Sequence, residues 1–183
     1  MPATKTFARQ YLTPVAAPLP PVSEAATVGR ALVESLSRAT GYRHSLRLNR
    51  IGSGLFGIRF YCQNGYPETA RDRAGGLAEV LASPRTSILD DRMRPLFGVP
   101  LVAEQPLVGE LLIRLYERAE SADIWVAFEY LPWIEAHLRY RLRLGVRQTG
   151  GTIHPDFFIH GSSPEKLLIA GLSFFASRPA VQP

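Results

Sequence analysis

Cysteine is almost absent from this chain. Cys62 stands alone among 183 residues, which excludes an internal disulfide, a disulfide scaffold and any cysteine-rich zinc site. Lysine is nearly as scarce. Of 21 basic residues only Lys5 and Lys166 are lysine, leaving 19 arginines. No run approaches the roughly 20 apolar residues that a membrane-spanning helix needs, and residues 1–23 carry no apolar signal-peptide core. The expectation is therefore a cytoplasmic protein without membrane insertion. Catalytic signatures are missing too. There is no GxxxxGK[ST], no GxGxxG between a strand and a helix, no G-x-S-x-G elbow and no H-E-x-x-H. RNP, KH and zinc-finger patterns are absent as well. Nothing calls for a cofactor or a metal.

What remains is enough to build one core. The hydrophobic fraction is 46% and the charged fraction 20%, ordinary for a globular domain. Residues 1–22 hold five prolines and read as a Pro-rich arm. Residues 23–178 read as one globular domain and 179–183 as a tail.

Charge is unevenly placed. The formal net charge is +5 and the isoelectric point is near 9.7. Between Glu34 and Glu68 there is no acid, but there are Arg38, Arg43, Arg47, Arg50 and Arg59. Between Glu135 and Asp156 there is again none, but there are Arg139, Arg141, Arg143 and Arg147. Outside these windows, 12 basic residues face 16 acidic ones, a net of −4. An acidic-to-neutral body thus bears two basic segments. On one face they would form a polyanion footprint; on opposite faces they would be two solvated surfaces.

Hydrophobic periodicity supplies the elements. Val28, Leu32 and Leu36 mark a helix over 24–40, with Ser23 as N-cap and Gly41 as its end. In "HSLRLNRI" and "LFGIRFYC" the pattern switches to alternation. With the GSG of residues 52–54 as turn, it predicts a hairpin over 43–62 that carries Arg47, Arg59 and Tyr61 outward. Ala70, Ala74, Leu77 and Leu81 suggest a helix from Pro67 to about Ala82, weakened by Gly75-Gly76. Residues 84–105 read as irregular, with a short helix at "TSILDDRM" and a short strand at 98–103. Pro106 opens a helix with the stripe Leu107, Leu111, Leu115 and Ala119. Ser162 and Glu165 form a capping-box spacing ahead of a final helix lined by Leu168, Leu172 and Phe175.

Two segments fit both periods. Ile124, Val126, Phe128 and Tyr130 alternate, yet Ile124, Phe128 and Leu131 also fit a helix. In "HLRYRLRLGV", 137–146, arginines alternate with leucine or tyrosine, but Pro132, Glu135 and Gly145 supply helix punctuation. Helices are expected for both, the second over 132–144. The fold expectation is then an α+β domain, mostly helical, with one antiparallel hairpin or small sheet.

Two constellations bear on function. Arg43, Arg47, Arg50, Arg59, Tyr61, Arg139, Tyr140, Arg141, Arg143 and Arg147 form a candidate nucleic-acid or anion surface. Arginine forks bind phosphate, and aromatics beside them stack on bases. Within the glycine-rich stretch 148–163, read as a loop with a brief buried strand at "FFI", His154, Asp156 and His160 are weak candidates for acid–base work. No metal motif matches their spacing. The expected function is a non-enzymatic, arginine-rich subunit that contacts RNA or DNA within a larger complex. The alternatives are a structural protein docking on an acidic protein partner, and an enzyme on an anionic small substrate using the 148–163 stretch.

Overall fold

The computed structural model describes residues 22–41, 44–61, 75–82, 105–147 and 153–177. Helix α1 (Val22–Gly41) precedes a hairpin of β1 (Ser45–Gly52) and β2 (Leu55–Tyr61). Two helices follow, α2 (Leu77–Ala82) and α3 (Gln105–Ser121). A meander of β3 (Ile124–Tyr130), β4 (Tyr140–Arg147) and β5 (Ile153–Gly161) leads into α4 (Pro164–Ala176). The strands form one five-stranded sheet in the order β2-β1-β3-β4-β5, with every neighbour antiparallel.

The mostly helical expectation is therefore wrong: among the described residues, four helices cover a five-stranded antiparallel sheet. Both ambiguous segments are strands, and alternation decides them. Val126, Phe128 and Tyr130 on β3, and Tyr140, Leu142 and Leu144 on β4, are all buried in the helix-facing core. β4 pairs along its length with β3 on one side and β5 on the other. A central strand satisfies every backbone group through two ladders, which local helix punctuation does not outweigh. Pro132 and Glu135 lead only into a single 3-10 turn at Ala136–Leu138. On a helix Glu135 would pair with Arg139 at i, i+4, but that pair is not made. Glu135 faces His137 at 3.5 Å, and Arg139 Nε donates to the Ile134 carbonyl at 3.1 Å. Entry into β3 is set by Asp123, whose φ of 50° is left-handed and breaks the chain out of α3.

The predicted hairpin is present, turning at Ser53-Gly54 with Gly54 at φ 64°. Beyond it, Gly75 exchanges backbone hydrogen bonds with Phe56, so α2 starts only at Leu77. The rest of the helix expected from Pro67, the elements expected within 84–104, Cys62 and residues 1–21 of the arm all lie outside the described residues, whereas Val22, the last residue of the expected arm, opens α1.

The helices cover one face of the sheet. α1 and α3 meet where Gly29 and Gly109 pass: a Cβ on Gly29 would overlap the Gln105 carbonyl, and one on Gly109 the Ala25 carbonyl. On α3 the buried stripe runs through Val108, Leu111, Leu112, Leu115 and Ala119, whereas Leu107 is exposed. α4 is capped by Ser163, whose hydroxyl accepts from the Lys166 amide at 3.3 Å, one residue later than the predicted cap. Leu46 and Leu48 of β1, with Phe56, Ile58 and Phe60 of β2, complete the core. Among the described residues no helix is long and apolar enough to cross a membrane.

Candidate functional site

The opposite face of the sheet carries the charge. No described helix packs on it. Strand register aligns one residue from each strand in a row across this face: Arg59 of β2, Arg47 of β1, Glu129 of β3, Arg141 of β4 and His160 of β5. The next row holds Gly57, Asn49, Ala127, Arg143 and Phe158. The β1–β3 pairing joins the hairpin to the meander. It brings the two acid-free windows side by side and inserts one acid between them.

That acid organises the face. Glu129 is only 2% exposed, although it lies on the side away from the helices. Arg47 Nε donates to its Oε1 at 2.7 Å, and Arg141 Nε donates to its Oε2 at 2.6 Å. Arg141 Nη2 lies 2.5 Å from the same Oε2, and Arg143 Nη1 reaches Oε1 at 3.4 Å. A buried carboxylate is tolerated when it is paired and hydrogen-bonded in this way. Three guanidiniums on one carboxylate leave a local excess of two positive charges. The small Ala127, fully buried beside Glu129, leaves room for the arginine stems.

Aromatic rings flank the cluster. The Arg47 guanidinium lies 5.1 Å from the Tyr61 ring centroid, and its Nη1 donates to the Tyr61 hydroxyl at 3.4 Å. At the other edge, Arg141 and Arg143 lie 5.3 and 5.7 Å from the Phe158 centroid. His160 stacks on Phe158 at 6.5 Å with the planes 25° apart. Arg143 Nε is shut off from solvent and has no hydrogen-bond partner among the described residues. Its guanidinium is thus the least committed of the three.

Comparison of the chain with protein-family models, curated proteins and solved structures finds no match. The site is read from its own geometry.

Of the ten candidate binding residues, Arg47, Arg59, Tyr61, Arg141 and Arg143 share the face away from the described helices. Arg50 points elsewhere: its Nη1 lies 2.8 Å from Glu120 of α3. Tyr140 is buried on the helix side, stacked on Tyr130 at 5.0 Å. Burial pushes its hydroxyl above the usual tyrosine range, and Tyr130 beside it adds to the rise. Arg139 is engaged in the turn before β4. Arg43 and the side chain of Arg147 lie outside the described residues.

The 148–163 stretch is not a loop over its second half, because residues 153–161 form β5. Its aromatics are not buried either: Phe157 and Phe158 are 46% and 42% exposed. His154 pairs with Val146 and His160 with Arg141. An extended strand puts residues six apart about 20 Å from each other, so these two histidines do not converge on one atom. The side chains of His154 and Asp156 lie outside the described residues. Among the described residues no cluster of histidine, cysteine or carboxylate could hold a metal ion.

The sequence reading missed Glu129 and Phe158. One signal could have found Glu129. It is the sole acid in an alternating segment, in phase with outward positions and followed by an alternating arginine segment. That is the charge pattern of paired strands.

Proposed function

We propose that this protein is a non-enzymatic binding subunit whose open sheet face contacts a polyanion, RNA or DNA, as part of a larger assembly. The observation that carries the reading is the convergence of Arg47, Arg141 and Arg143 on Glu129, with Arg59 next in the row. Arginines from both windows stand on one surface with surplus positive charge. The heads of Arg47, Arg141 and Arg143 are held in fixed positions by a carboxylate that solvent barely reaches. Arginine keeps its charge at every working pH and offers planar forks that match phosphate oxygens. Such a face attracts polyanions at long range and releases counterions on contact.

Cation–π contacts with Tyr61 and Phe158 support the same reading, since they place flat apolar surface next to the charges.

The test is binding of labelled RNA and DNA oligonucleotides across a salt series by fluorescence anisotropy. Wild type is compared with Arg59→Gln and Arg143→Gln. Arg143 is the residue of choice because Arg47 and Arg141 still hold Glu129 without it. Wild type should bind at low salt with affinity falling steeply as salt rises. Each variant should reduce the slope of log K against log salt by about 0.7–0.9. Absence of binding at low salt contradicts the reading.

A further inference from the structure

Resting on that reading, we infer that the ligand is single-stranded nucleic acid, lying across the strands with an unpaired base stacked on Phe158.

Phe158 is a large apolar ring, 42% exposed, on the face that carries the arginine cluster. An isolated exposed phenylalanine needs no explanation. This one has two guanidiniums over it and an exposed histidine stacked beside it. Four planar groups therefore sit together at the β5 edge. Bases stack on such surfaces, while neighbouring arginines hold the backbone.

The geometry disfavours a duplex. Reading base sequence in a duplex requires a helix or a ribbon that enters the major groove. Here the arginines stand on a broad sheet face, and the heads of Arg47 and Arg141 are drawn down onto a buried carboxylate. They cannot reach into a groove, but they can meet phosphates laid on the surface.

The length of the site follows from the sheet. From Arg59 on β2 to His160 on β5 the row crosses four inter-strand steps, roughly 19 Å at the usual strand spacing. This spans a few nucleotides of extended strand. Arg59 and Arg47 would take the phosphates at one end. Arg141 and Arg143 would take those at the other, where Phe158 receives the base. Glu129 does not touch the ligand. It is a positioning residue that fixes three of the four guanidiniums.

The experiment uses the full chain and three probes: a six-nucleotide single strand (dT6 and U6), a duplex of mixed sequence, and inorganic polyphosphate. Wild type is compared with Phe158→Ala and Phe158→Trp, and thermal melting confirms that each is folded. The inference expects single strands to bind at least ten-fold tighter than duplex per site. Phe158→Ala should lose roughly five- to a hundred-fold for single strands and nothing for polyphosphate, while Phe158→Trp should keep affinity. Equal binding of duplex and single strand, unchanged in Phe158→Ala, overturns this inference and leaves the basic-face reading standing. Failure of all three probes to bind at low salt overturns both.

Discussion

Arg47 and Arg141 come from different acid-free windows of the chain and donate to opposite oxygens of one carboxylate, that of Glu129. This relationship turns two separate basic segments into one surface. It exists because β1 pairs with β3 and β3 with β4, so that register places the three residues in line. Replacing Glu129 with leucine or glutamine leaves three guanidiniums facing one another without their counter-charge. The expected loss of stability is about 3 kcal/mol, the low end for a broken buried pair, because the arginines keep part of their hydration. Urea denaturation of Glu129→Gln and Glu129→Leu checks it.

The arginines share Glu129, so their contributions should not add. Arg47→Met alone leaves the carboxylate bound to Arg141 and Arg143, and Arg141→Met alone leaves it bound to Arg47 and Arg143. The double variant strips its three shortest contacts and leaves only Arg143, at 3.4 Å. A double-mutant cycle should show a coupling of about 1 kcal/mol or more, the size seen for residues in one network.

The α1–α3 contact sets a steric limit. Gly109→Ala or Gly29→Ala drives a methyl group into a backbone carbonyl of the facing helix, which cannot rotate away. Both variants should lose about 3 kcal/mol, the upper end for overpacking. Thermal melting reads this directly. Ala82, exposed at the end of α2, serves as a control site where substitution by serine should cost little.

Alkaline pH should destabilise the fold in a defined direction. Burial raises the hydroxyl pKa of both Tyr116 and Tyr140. Tyr116 also donates to the Leu48 carbonyl at 2.8 Å. In the unfolded chain tyrosine ionises near its ordinary value of about 10, while these two stay neutral when folded. The unfolded state therefore sheds protons first. The contribution to stability is complete below pH of about 10 and declines as pH rises beyond it. Urea denaturation from about pH 8 to about pH 11.5, roughly one and a half units beyond the ordinary tyrosine value, should show this decline. Tyr116→Phe and Tyr140→Phe should each flatten it.

The fold was partly legible in the sequence. β1 and β2 could be read because Leu46 and Leu48, then Phe56, Ile58 and Phe60, alternate around a glycine turn with no competing helix signal. β3 and β4 alternate just as cleanly. There Pro132, Glu135 and Gly145 imitate helix ends, and local punctuation cannot reveal that two neighbouring strands are waiting to pair. The missing information was non-local. Glu129 on one strand answers Arg141 and Arg143 on the next, and only pairing makes both choices sensible. The candidate surface was legible as residues but not as a place. Arg47, Arg59, Tyr61, Arg141 and Arg143 share it, whereas Tyr140 follows the leucines inward because it occupies the opposite phase of β4. Phe158 is not legible as a surface residue, because an "FFI" run in an edge strand has the same pattern as a buried one.

The most direct test of the account is NMR of the arginine side chains. Their Nε–Hε resonances, together with the backbone amides, would be followed as dT6 is titrated in at low salt. The account predicts that Arg47, Arg141 and Arg143 shift along with the amides of β4 and β5 around Phe158, and that added salt reverses the shifts. Changes confined to the helices α1–α4, or none at all at low salt, would contradict it.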